Sequence, residues 1–159
     1  MSKSRLDMPT QEHDATGVVI DAASYEDLQT IIKIDCNASG EAKPEFWLEC
    51  YKRQGAEPNS TFLVAKSDGK IAGFTIGTIK TWEFGSPACG WVETIIVAPE
   101  FRGQSIGTQL FDAVVSHFRS NGITTVRTML DISDHALMSF FRFQGMSAGP
   151  FIELEMQSE

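Results

Sequence analysis

Residues 97 to 107 read "VAPEFRGQSIG" and follow directly on the apolar run "WVETIIV" at 91 to 97. A helical pattern then begins at once. Ile106, Leu110, Ala113, Val114 and Phe118 fall on one face of it, and Asn121-Gly122 stops it. The start of such a helix points backbone N–H groups and the positive end of its dipole at whatever lies before it. Gly103 and Gly107 remove the Cβ atoms that would hold a ligand off the backbone, and Arg102 adds a fixed positive charge. The chemistry that this combination suits is phosphate binding. A plain strand–turn–helix, with glycines serving only the turn, is the alternative reading of the same residues. Two common phosphate motifs are missing: there is neither G-x-G-x-x-G for a dinucleotide nor G-x-x-x-x-G-K-S/T with its γ-phosphate lysine.

The elements that must position this loop can be read on either side of it. "VVIDAA" at 18 to 23 predicts a first strand. Ser24 and Asp27 resemble a capping box before a helix carrying Tyr25, Leu28, Ile31 and Ile32. Pro44 suits a first helical position, and Phe46, Trp47, Cys50 and Tyr51 give the next helix its apolar face. Asp68-Gly69 signals a tight hairpin between strands at 61 to 66 and 71 to 84, and 91 to 97 adds a third strand. After the helix from about 105 to 120 come a strand "TTVRTML", a helix from about 134 to 144, and a last strand "FIELEM". The order is β-α-α-β-β-β-α-β-α-β, a mixed sheet with helices against it and no internal repeat.

Composition narrows the partners. The 159 residues, 42% of them hydrophobic, suit one compact domain over 17–159, preceded by a polar, aperiodic arm at 1–16 expected to be flexible. A net charge of -8 and a pI near 4.8 argue against nucleic-acid binding through a basic surface and favour cationic partners such as amines. Cys36, Cys50 and Cys89 are scattered and show no metal-ligand spacing with His13, His117 or His135, so reduced thiols and no metal are expected. No leader-like apolar segment and no run of about 18 apolar residues occurs, so the expectation is a soluble cytoplasmic protein without a membrane partner.

The loop resembles the signature of the GNAT N-acetyltransferases, V-x-P-x-F/Y-R/Q-x-x-G-x-G/A, from Val97 to Gly107. The element order and "DHALMSFFRFQGM" at 134 to 146 are also similar to that family, so the resemblance covers about residues 17 to 156. It implies an α/β (α+β) fold: a mixed central sheet of six to seven strands, mostly antiparallel with one parallel splayed pair, flanked by four helices. It also implies acetyl-CoA, or another short acyl-CoA, as co-substrate. Backbone groups of Gly103, Gln104, Ser105, Ile106, Gly107 and Thr108 would hold the pyrophosphate beside the charge of Arg102, and the backbone of Ile95, Ile96 and Val97 would pair with the pantetheine. An N–H near Ile96 would polarise the thioester carbonyl. Asp134 and Phe141 stand where the family contacts the pantetheine and the departing sulfur. The acceptor would lie over Glu41, Glu45, Trp47, Glu49 and Trp82, with a place in the core as the plainer reading of Trp47. A homodimer is a family tendency.

Departures from the pattern sharpen the chemistry. Ser105 replaces a usual glycine and could cap the helix or give its hydroxyl to a phosphate. Asp134 replaces asparagine, with helix capping as its plainer role. Phe141 replaces the tyrosine that would protonate the leaving sulfur, which favours a non-catalytic acyl-CoA sensor or interaction module as the rival to an enzyme. A small α/β protein for some other phosphorylated ligand is a third reading. Phe140 and Phe143 read as the apolar face of a buried helix. An alkylammonium, with a pKa of about 10.4, must lose a proton before it can attack a carbonyl. Glu93 is the candidate base: four residues before Val97, alternation puts it on the same strand face. Asp131 is the substitute. The expected reaction is direct transfer of an acetyl group to a small-molecule or peptide amine.

Overall fold

The computed structural model describes residues 17–158, so the arm expected at 1–16 lies outside the described residues. The chain divides after Thr128 into two compact units. The first holds β1 (Val18–Ala22), α1 (Leu28–Ser39), α2 (Pro44–Ala56), β2 (Ser60–Ser67), β3 (Lys70–Lys80), β4 (Cys89–Val97), α3 (Ile106–Ser120) and β5 (Val126–Arg127). The second holds α4 (His135–Phe143). The strands form one sheet in the order β1-β2-β3-β4-β5. Its first three pairings are antiparallel and β4–β5 is parallel.

Local sequence accounts for most boundaries. Asp68 (φ 49°) and Gly69 (φ 77°) both take the left-handed conformation that a two-residue hairpin turn needs. The Ser24 N–H donates to Asp27 Oδ2 at 2.9 Å before α1, and Gly40 (φ 81°) closes that helix. The strand expected through residue 84 stops at Lys80, because Trp82 (φ 57°) and Phe84 (φ 55°) turn left-handed, which no strand accommodates.

The sheet has five strands among the described residues, not six to seven. The strand expected at 124 to 130 shortens to Val126–Arg127, and residues 151 to 156 form none, with Phe151, Ile152, Leu154 and Met156 all exposed. Alternation makes a segment competent for a sheet, but a strand exists only where another backbone accepts its hydrogen bonds.

The sheet is covered on both faces. On one, Ile31, Ile34 and Trp47 from α1 and α2 pack on Phe62, Val64, Phe74 and Ile76, with Ile96 against the cluster. On the other, Ile106 and Leu110 of α3 pack with Ala65 and Ala72, and with Ile95 and Val97. Close approach of α3 depends on glycine: a Cβ at Gly77 would lie 2.3 Å from Val114 Cγ2, and one at Gly90 2.3 Å from a Phe118 ring atom.

A buried polar joint fixes α1 to α2. The carboxylate of Asp35, 4% exposed, accepts from Trp47 Nε1 at 2.9 Å and pairs with Lys43 Nζ at 3.0 Å. Trp47 is therefore a core residue, not a wall of the acceptor site. Asp35→Ala strands a buried indole N–H and an ammonium together. It should cost about 2–3 kcal/mol of stability, read from urea unfolding, and Lys43→Met should cost a similar amount because it leaves the buried Asp35 carboxylate without its counter-charge.

Candidate active site

Two features of the 17–128 unit converge on one edge of β4. The first is the bulge. Ile76 pairs with Thr94 and Gly77 with Val92, which leaves Glu93 as an extra residue without a β3 partner. The second is the early end of β5, which pairs only with Gly90 and Trp91. At that pairing the Gly90 N–H donates to Thr125 O at 2.9 Å, and just beyond it Thr128 Oγ1 donates to Val92 O at 2.9 Å. Past that point β4 runs on without a ladder partner on its outer side among the described residues.

Hydrogen-bond polarity decides which groups this edge presents. Ala98 N–H donates to Ala72 O at 2.8 Å, so Ala98 faces β3. In an antiparallel ladder, alternate residues turn N–H and C=O the same way. Ile96, opposite Phe74, therefore spends its groups on β3, as does Thr94, whose carbonyl also accepts from Thr75 Oγ1 at 2.8 Å. This corrects the expectation for Ile96. The backbone groups turned to the opening belong to Ile95 and Val97.

The loop to α3 lies at the C-terminal end of this edge. Phe101 N–H returns to Ala98 O and Arg102 N–H to Pro99 O; the regular helical bonds begin with Gln109 N–H to Ser105 O at 3.1 Å. In between, Gly103 (φ 77°) and Ser105 (φ 59°) are both left-handed. Such alternation turns successive N–H groups toward one side, the concave arrangement that binds anions, here at the start of a 15-residue helix. A Cβ at Gly103 would touch nothing within 4 Å, so the space before the loop is open. Arg102 is exposed and joins no ion pair among the described residues. The Ser105 hydroxyl makes no capping hydrogen bond, which corrects the capping alternative. Ile106 is buried beneath the loop, and Gly107 and Thr108 open the helix. These groups fit a diphosphate: main-chain donors in a concave turn, a helix start and one unpaired guanidinium.

Glu93 is exposed, but not on the face of Val97 as alternation alone predicted. The bulge reverses the parity: Val97 packs on the α3 side, whereas the charge of Glu93 acts on Cys50 of α2. Burial pushes the Cys50 thiol up; Arg53 opposes this and Glu93 adds to it. Glu93 Oε1 also lies 4.0 Å from Lys80 Nζ. The bulge, Lys80, Glu83 and the Thr128 cap carried no signal in the sequence pattern, since each depends on where strands meet. The glycines facing α3 did carry one: Gly73, Gly77 and Gly90 interrupt apolar strands.

In the 129–158 unit, Asp134 caps α4: its Oδ1 accepts from Leu137 N–H at 3.0 Å. Phe141 is buried and meets the Phe140 ring at 5.2 Å between centroids, while Phe143 is 82% exposed and so is not part of a buried face. Asp131 accepts from Ser133 through the side-chain hydroxyl at 2.6 Å and the backbone N–H at 2.8 Å. These bonds hold its carboxyl below the usual range and make it a poorer base. The sequence-predicted residues thus fall into two groups: Glu93, Ile95 to Val97 and Arg102 to Thr108 in the first unit, Asp134 and Phe141 in the second. Of the acceptor candidates, Glu49 pairs with Lys52 at 3.1 Å and Trp82 is 77% exposed. Glu41 and Glu45 are exposed. Among the described residues no group of three or more His, Cys, Asp or Glu is placed to hold a metal ion.

The 17–128 unit thus combines an open strand edge beside a bulge with a concave turn of main-chain N–H groups at its end. The acetyltransferase (GNAT) family pattern matches residues 26–146, and the chain belongs to that family, whose members transfer an acetyl group from acetyl-CoA. It is 25% identical over 126 residues to a Bacillus subtilis protein described as a ribosomal-protein alanine N-acetyltransferase, covering 78% of this chain and 77% of that one. It is 30% identical over 81 residues to an L-2,4-diaminobutyric acid acetyltransferase of Nocardia farcinica, covering 51% of this chain but only 40% of the relative. The fold matches a crystal structure of an aminoglycoside N-acetyltransferase in complex with CoA, with a TM-score of 0.79 at 15% identity, covering 88% of this chain and 94% of that one.

Ser105 holds a left-handed conformation with no capping bond in return. Ser105→Gly should therefore raise stability by about 1 kcal/mol in thermal unfolding, and Ser105→Val should lower it by at least as much.

Proposed function

We propose that residues 17–159 act as one N-acetyltransferase domain, moving an acetyl or short acyl group from acetyl-CoA to a primary amine by direct attack. The observation that carries this reading is the unpartnered β4 edge ending at the left-handed turn before α3. Acetyl-CoA supplies an activated thioester and a diphosphate handle. Main-chain N–H groups from Gly103 to Thr108, with Arg102, would bind the diphosphate. Ile95 and Val97 would pair with the pantetheine as an added strand would. The Ile95 N–H, turned outward where Ile96 is not, would donate to the carbonyl oxygen as it gains charge.

Glu93 would take the proton of the attacking nitrogen, directly or through a water. The C–N bond forms, the C–S bond breaks, and the electron pair leaves on sulfur. Phe141 has no proton to offer that sulfur, yet a thiol pKa of about 8.5 makes thiolate an adequate leaving group. No cysteine need form an intermediate: Cys50 and Cys89 are buried, and Cys36 lies on α1. No helix among the described residues is long and apolar enough to cross a membrane. A cytoplasmic site of action, with a small-molecule or peptide amine as partner and a second copy as a family tendency, completes the proposal.

Glu93→Gln should lower kcat about 100-fold in a thiol-release assay while leaving the acetyl-CoA Kd unchanged by calorimetry. An unchanged rate at every pH rejects the base. Arg102→Glu should weaken CoA binding at least about tenfold with no loss of melting temperature. Equal affinity in the two proteins would remove the diphosphate site.

A further inference from the structure

The ammonium of Lys80, at the end of β3, is held at three points. It lies 4.0 Å from Glu83 Oε1, 4.0 Å from Glu93 Oε1, and 4.8 Å from the centre of the Trp91 ring. Glu83 gives it a reason to stay. The second carboxylate oxygen, Oε2, is buried without a hydrogen-bond partner among the described residues, so displacing Lys80 would leave Glu83 without its counter-charge. The aromatic face of Trp91 adds a cation–π contact from below. Lys80 is thus a pinned cation beside the bulged carboxylate.

We propose that Lys80 is a specificity-determining residue: its fixed charge beside Glu93 disfavours acceptors that arrive as full cations, and so favours peptide α-amino groups, a fraction of which is neutral, over alkylamines that are almost wholly protonated. This rests on the role proposed for Glu93. An ammonium approaching a carboxylate that already faces Lys80 meets a like charge at a few ångströms and gains little attraction. A peptide α-amino group, with a pKa of about 7.7–8.0, is roughly a tenth neutral at pH 7, whereas an alkylamine near 10.4 is below about 0.1% neutral. Lys80 does not touch the reacting atoms. It acts through Glu93 and through the field around that carboxylate.

The test uses two peptides of matched length, one with a free N-terminus and no lysine, the other N-terminally blocked with one lysine. The kcat/KM of each is measured by thiol release at fixed pH. Wild type should prefer the free N-terminus. Lys80→Met should shrink that preference about fivefold, chiefly through a lower KM for the lysine peptide, with the acetyl-CoA KM unchanged; Lys80→Arg should retain it. An unchanged ratio in Lys80→Met, with both rates falling together, would show a merely structural lysine and overturn the proposal while leaving acetyl transfer intact. Absence of thiol release from wild type with these peptides and with a mixed amine panel would instead overturn the transferase reading, and the role of Lys80 with it.

Discussion

The structure depends on hydrogen bonds that β4 does not make among the described residues. A strand inside a sheet normally spends every N–H and C=O on its neighbours. Here the parallel partner leaves after Val126–Arg127, and the Thr128 hydroxyl satisfies Val92 O at the point of departure. Buried polar groups without partners are costly, so an edge of this kind persists where water or a ligand can take the bonds. The pantetheine arm of acetyl-CoA, an extended chain with amides of its own, is a suitable occupant.

Everything else keeps that edge in place. Gly77 and Gly90 let α3 lie close on the sheet at Val114 and Phe118. On the opposite face the Asp35–Trp47–Lys43 joint holds α1 against α2 over Phe62 and Phe74. The bulge at Glu93 then does two jobs with one extra residue. It moves Ile95 and Val97 into the register that faces the opening, and it turns the Glu93 carboxylate toward the α2 side. A strand of unbroken parity could not do both.

Charge is organised with similar economy. Lys80 serves Glu83 and Glu93 together, and the Trp91 ring supports it. Such pairs contribute little to stability when partly solvated. Their effect is on which charges approach the carboxylate, and that is a matter of selectivity.

Much of this could be read from the amino-acid order. The Val97–Gly107 run, the helix face of Ile106, Leu110, Val114 and Phe118, the Asp68-Gly69 hairpin and the Ser24–Asp27 start are local signals, set by steric limits on φ and by periodic burial. Local signals mark elements and also the left-handed turn before α3. They could not reveal that Ile96 faces β3 rather than the opening, because peptide orientation follows from strand register and bulge position, which no single segment encodes. Nor could alternation at 151 to 156 show that no partner strand meets it among the described residues. Tertiary structure decided both, since a backbone hydrogen bond belongs to two segments at once.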